Sequence, residues 1–116
     1  MRKIIYARLV DKEEAKRIKK LGTIGIAQTS ELVPAFEATY VLDSLFNLKP
    51  DEIKILNKTL GGKGNATRII LFVPEKEPIV SNIPFRNIGK IRALIGYNIR
   101  ESKFLPDTKI EIQDII

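Results

Sequence analysis

The sequence predicts one small domain, residues 1–116, of the α/β or α+β class, with a four- to five-stranded sheet packed against three to four helices. A chain of 116 residues that is 44% hydrophobic is long enough to bury one core without disulfides or metals. Segments with strand periodicity alternate with segments of helical periodicity. Prolines, glycines and capping residues mark the boundaries between them.

The first third of the chain predicts a strand, a helix and a second strand. Residues 3–10 are apolar on both faces of a strand. Asp11 is a suitable N-cap for a helix over 12–21, and Gly22 is a suitable residue to end it. The shorter segment 23–29 predicts the second strand. The three elements form either a β-α-β unit or an antiparallel return.

The longest strongly apolar segment, 34–48, predicts the central helix. It contains no basic residue, and proline is favoured at the first position of a helix. About half of the helical circumference is apolar and is expected to face the core. The opposite face carries a strip formed by Phe36, Tyr40, Asp43 and Asn47. Two aromatic residues outside the core face predict either a second packing layer or a homodimer interface through this strip.

The second half of the chain predicts four further elements. These are a helix over 50–60, a strand over 67–73, a helix over 88–95 capped by Asn87, and a final strand over 108–112 near a sheet edge. Two alternatives remain open: a strand over 52–60 that forms a hairpin with the next strand, and a strand over 90–99. In the proline-rich stretch between 74 and 84, only 79–80 is expected to extend the sheet.

The composition narrows both the origin and the chemistry. The chain has 19 Ile, 20 Lys plus Arg and 14 Asp plus Glu, but two Gln and no Cys, His or Trp. This composition is typical of hyperthermophile proteins, so we expect a thermophilic archaeon or one of its mobile elements as the source. Without Cys or His, the chain cannot form disulfides, thiolate nucleophiles, zinc–cysteine sites or imidazole bases. Any metal site would use oxygen ligands alone.

No set of residues indicates catalysis. The acidic residues form no converging pair, and no serine lies in a nucleophile motif. We therefore expect no catalytic residues, no metal site and no cofactor, and the sequence favours a non-catalytic protein. The apolar run near residue 1 is too short for a signal peptide, so none is expected, and no uninterrupted apolar segment reaches membrane-spanning length. A cytoplasmic location without a membrane partner is expected.

The distribution of charge favours a polyanionic partner. The formal net charge is +6, and the positive charge lies in three blocks, 1–20, 49–68 and 86–103. The loop 61–68 contains GGKG, but a phosphate-binding loop needs a strand before it and a helix after it, and the predicted order here is the reverse. Phosphate contacts require only reach and charge. The candidate nucleic-acid-binding residues are Lys19, Lys20, Lys63, Arg68, Arg86, Lys90, Arg92 and Arg100.

The leading hypothesis is a small basic nucleic-acid-binding or regulatory protein that contacts mainly the phosphate backbone of DNA or RNA. The alternative is an interaction or assembly module that forms a homodimer through the strip of Phe36 and Tyr40. A third hypothesis is an enzyme or a binding protein for a small anionic ligand. A pocket lined by Lys63, Arg68 and carboxylates would favour it.

Overall fold

The computed structural model describes residues 3–26 and 28–116, and these form four helices and one six-stranded antiparallel sheet. The fold is α+β. The strands are β1 (Tyr6–Val10), β2 (Val33–Glu37), β3 (Arg68–Pro74), β4 (Val80–Pro84), β5 (Arg100–Phe104) and β6 (Ile110–Ile115). The helices are α1 (Lys12–Leu21), α2 (Leu42–Phe46), α3 (Pro50–Thr59) and α4 (Ile88–Ile95). The strand order is β4-β5-β2-β1-β3-β6.

Helices α1, α3 and α4 and strand β3 confirm the sequence predictions, because their local signals are strong. The side chain of Asp11 accepts a hydrogen bond from the backbone N–H of Glu14 at 2.7 Å, which caps α1. Gly22 ends that helix with a φ of 70° and donates its N–H to the carbonyl of Ile18. The final strand is also confirmed at a sheet edge, although it spans Ile110–Ile115.

The predicted central helix over 34–48 is wrong. This segment holds strand β2, a turn over 38–41 and the short helix α2. Phe36 pairs with Ala7 in the sheet and is only 2% exposed, whereas Tyr40 lies on the turn and is 77% exposed. The two aromatic side chains therefore do not form a strip on one helix face. In β2, Pro34 is exposed and Ala35 is buried, which is the alternation expected when successive side chains of a strand point to opposite faces.

Three other sequence predictions differ from the structure, and all of them concern strands. The predicted strand over 23–29 is wrong, since Thr23 forms only an isolated bridge with Lys109, and Ala27 lies outside the described residues. The strand that follows α1 and pairs with β1 is β2, and the pairing is antiparallel. Strand β5 was not predicted, because 86–103 was interpreted as a basic segment around a helix. Strand β4 extends to Pro84, beyond the expected 79–80.

The sheet separates two layers of core. On one face, α2, α3 and α4 cover buried residues that include Phe36, Leu56 and Ile91. On the other face, α1 covers a layer that contains three aromatic rings. The rings of Phe72 and Phe104 lie 5.9 Å apart between centroids, although their strands are three positions apart in the sheet. A flat sheet would separate those strands by about 14 Å, so the sheet curls around this face.

Pro34 ends the pairing between the two central strands. The backbone N–H of Ala38 donates to the carbonyl of Ile5, so alternate residues of β2, including Pro34, direct their backbone groups at β1. Because proline has no N–H to donate to β1, the pairing between β1 and β2 ends at the pair of Ala7 and Phe36. The guanidinium of Arg8 instead donates to the Pro34 carbonyl at 2.8 Å. The separation opens a groove of about 410 Å³ between β1, β2 and the loop after α3.

Alanine substitutions at the two aromatic residues test the assignment of 34–48. Phe36→Ala should lower the free energy of unfolding by about 3–5 kcal/mol, because it removes a fully buried ring. Tyr40→Ala should change it by less than about 0.5 kcal/mol, because the ring is exposed. Urea denaturation of both variants measures the difference. Equal losses would contradict the assignment of Phe36 to a core strand.

Candidate functional site

Four basic residues lie on adjoining segments, where the end of α3, the following loop and the start of α4 come together. We call Lys58, Lys63, Arg86 and Lys90 the α3–α4 basic surface. The Asn87 side chain donates to the Thr59 carbonyl at 3.4 Å, which joins the start of α4 to the end of α3. Each residue of this surface is exposed, and none forms an ion pair within residues 3–26 and 28–116.

The loop after α3 is held in shape by Asn57. The Asn57 side-chain oxygen accepts the N–H of Gly64 at 2.8 Å, and its backbone carbonyl accepts the N–H of Gly62. Gly64 has a φ of 78°, and a Cβ there would lie 2.6 Å from Cε of Lys58. The Lys58 side chain therefore packs over this loop. The order helix, loop, strand agrees with the sequence interpretation and does not place a helix N-terminus after the glycines.

The two basic residues of α4, Lys90 and Arg92, point to different sides of the helix. Asn87 is not a side-chain cap, because its amide is directed at α3. Lys90 is exposed in the first turn of α4, three residues after Asn87. Arg92 follows Lys90 by two residues, which turns it about 200° around the helix axis. Arg92 and Lys90 therefore cannot contact the same phosphate.

The other candidates lie elsewhere in the fold. Arg68 pairs with Val10 and occupies the α1 side of the sheet. Arg100 begins β5 and donates to the Asn82 carbonyl at 3.1 Å. Lys19 and Lys20 are in the last turn of α1, next to the residues that contact β6. The structure thus places Lys63, Arg86 and Lys90 of the predicted set on adjoining segments. It adds Lys58, which only the packing of α3 against the loop reveals.

The predicted interface residues are no longer neighbours on one element. Phe36 is in the core of the sheet, so it cannot contact a partner subunit. Tyr40, Asp43 and Asn47 are exposed on the turn, on α2 and just after α2. Homodimer formation through these three residues stays a prediction.

The groove opened by Pro34 has mixed charge. Its basic residues are Arg8 and Lys63, and its acidic residues are Asp11, Glu14 and Glu101. The Arg8 guanidinium forms an ion pair with Glu14 at 2.9 Å and is therefore already neutralised. Arg68 does not line the groove, and acidic groups outnumber basic ones, so the groove does not favour an anionic ligand.

A second polar region lies on the α1 side of the sheet, and sequence reasoning missed it. Tyr6, Glu37 and Ser102 come from three adjacent strands and share one face, because Tyr6 pairs with Glu37 and Ala35 pairs with Ser102. Burial, followed by the charges of Glu37 and Glu77, raises the pKa of the Tyr6 phenol above its usual value. The pairing of these strands is nonlocal, so no local signal identifies the region.

Comparisons with models of protein families, with curated proteins and with solved structures gave no match. Within the described residues, no group of three or more acidic side chains is placed to hold a metal ion. No helix in the same part of the chain is long and apolar enough to cross a membrane.

The raised pKa of Tyr6 predicts a difference in alkaline stability. The folded state holds the phenol proton to higher pH than the unfolded state, whose pKa is close to 10.0. The resulting stabilisation is complete below pH 10 and is lost as the pH rises through the folded-state pKa. Tyr6→Phe should match the parent protein at pH 7 and should lose less stability at alkaline pH. Urea unfolding at both pH values measures this.

Tyr97→Phe provides the control, because Tyr97 is exposed and has the same phenol. It should follow the parent protein at every pH. If Tyr6→Phe also followed the parent protein above pH 10, a raised pKa at Tyr6 would be excluded.

Proposed function

We propose that the protein binds nucleic acid through the phosphate backbone, using the α3–α4 basic surface. The observation that carries this proposal is the presence of four exposed cations on three adjoining chain segments, none of them in an ion pair within the described residues. Surface cations in a thermophile-like composition are usually interspersed with carboxylates. Here the carboxylates of α3, Asp51 and Glu52, lie in its first turn, at the opposite end of the helix from Lys58. Within α3 the positive charge of Lys58 is therefore separated from these carboxylates, while Asp11, Glu14 and Glu101 line the neighbouring groove.

The position of Lys90 adds support. It lies in the first turn of α4, where the helix dipole is positive and a cation is unfavourable. That turn contains no acidic residue and no side-chain cap. An anion at this place would contact both the lysine and free backbone N–H groups. A phosphate diester satisfies that requirement and needs no base-specific contact.

Titration of fluorescent duplex DNA over a range of salt concentrations tests the proposal. Each phosphate contact contributes about 0.9 to the slope of log affinity against log salt. The double variant Lys63→Ala/Lys90→Ala should bind several-fold more weakly at low salt, and its slope should be shallower by about 1.8. Fluorescence anisotropy measures both quantities.

The matched control is Lys19→Ala/Lys20→Ala, which removes the same charge from the end of α1. It should keep most of the affinity and the full slope. Equal effects of the two variants would indicate a response to net charge alone and would contradict a defined surface. The absence of salt-dependent binding by the parent protein would refute the proposal.

A further inference from the structure

Two adjoining cavities share a polar floor; the larger is on the α1 side of the sheet, and the smaller is bordered by residues of the α2–α4 layer. Their volumes are about 370 and 660 Å³, within the range of small-molecule sites. Glu37, Asn82 and Ser102 line both cavities. The larger cavity is bounded by the segment after β3, which carries Glu75 to Pro78. The smaller cavity reaches the exposed ring of Tyr40.

The floor carries two hydroxyl groups that open on the larger cavity. Tyr6 is 7% exposed and Ser102 is 6% exposed, and both line the larger cavity. Neither hydroxyl has a hydrogen-bond partner among residues 3–26 and 28–116. A hydroxyl group can both donate and accept a hydrogen bond. Because these two oxygen atoms are open to the cavity, they are available to a polar ligand there.

Glu37 is on β2, which lies between the strands that carry the two hydroxyl groups. It is half-buried, and it forms no ion pair within the described part of the chain. Arg100 is its neighbour on β5 and is directed instead at the Asn82 carbonyl. Asn82 has a φ of 60° at an irregularity of β4, a conformation that aims its carbonyl at Arg100. An ionised carboxylate accepts hydrogen bonds only, so the ligand must bring donors.

The surroundings define the rest of the ligand. The smaller cavity has apolar walls that include Val41, Ile88 and Ile99, which suit a flat ring. Tyr40 offers a face for stacking at the rim. Glu37 and Arg100 are the only charged residues that line it among those described. The carboxylate suits a neutral edge with two parallel N–H donors, and the guanidinium suits an anionic group beyond the ring.

We propose that the smaller cavity binds a guanine base. The N1–H and N2–H groups of its Watson–Crick edge donate to Glu37, and its ring lies against Tyr40. Adenine presents a ring-nitrogen acceptor beside its single amino group, and that acceptor is repelled by a carboxylate. The site should therefore discriminate guanine from adenine. The base can belong to a free nucleotide or to a single strand, because both present the same edge.

Isothermal titration with guanosine and adenosine monophosphates tests the site. The parent protein should bind the guanosine nucleotide at least tenfold more tightly. Glu37→Gln keeps the shape of the side chain but removes one acceptor, and it should weaken guanosine nucleotide binding by about 10- to 100-fold, as expected for hydrogen bonds to a charged group. Adenosine nucleotide binding should not decrease, because a glutamine amide can pair with adenine.

Glu31→Gln is the matched control, because Glu31 is exposed and lines neither cavity. It should bind like the parent protein. Thermal unfolding of both variants separates loss of the ligand from loss of the fold. Equal affinities for the two nucleotides, or an unchanged affinity in Glu37→Gln, would overturn the assignment of the base edge to Glu37.

Single-stranded oligouridine with and without one guanine identifies the source of the base. If the mononucleotide binds and Glu37→Gln weakens that binding, the ligand is a free nucleotide. Guanine-dependent binding of the oligonucleotide alone, with the same sensitivity, indicates a base within a strand. If neither ligand bound, the inference would be wrong. Lys63→Ala/Lys90→Ala should leave mononucleotide binding unchanged, so this outcome is independent of the α3–α4 basic surface.

Discussion

The contact among the rings of Tyr6, Phe72 and Phe104 determines how the rest of the chain is arranged. The rings come from β1, β3 and β5, and their centroids lie 5.1 to 6.0 Å apart. They can meet only because the sheet curls around them. The curl lets the short segments after β3 and after β5 cross from one part of the sheet to a distant strand. It also leaves Tyr6 with its ring in the core and its hydroxyl at a cavity.

Local signals predicted those elements whose boundaries are encoded by a few adjacent residues. Asp11 and Gly22 delimit α1, and the Pro-Asp-Glu sequence opens α3. The prediction of one helix over 34–48 was wrong because a short apolar run is compatible with both a strand and a helix. Pro34 was interpreted as the first residue of a helix, but it lies in a central strand, where proline is rare. The guanidinium of Arg8 satisfies the Pro34 carbonyl, which the interrupted strand pairing leaves without a backbone donor.

The two proposed sites differ in what the sequence could reveal. Lys63, Arg86 and Lys90 were predicted because charge is visible in the composition of each segment. Lys58 was missed, since its place depends on how α3 packs against the loop. Tyr6, Glu37 and Ser102 are 31 and 65 residues apart along the chain. Only the register of three antiparallel strands brings them onto one face, and periodicity within one strand does not fix register between strands.

The polar floor interrupts an apolar layer, and that interruption is itself informative. Apolar side chains at Glu37 and Ser102 would continue the buried layer formed by Val33, Ala35 and Phe104. The half-buried carboxylate gives up part of its hydration, and the hydroxyl groups of the floor open on the larger cavity. Natural proteins keep such locally unfavourable residues mainly where function requires them. They lie on the part of this face that α1 leaves open, where a ligand can form the hydrogen bonds that the protein does not.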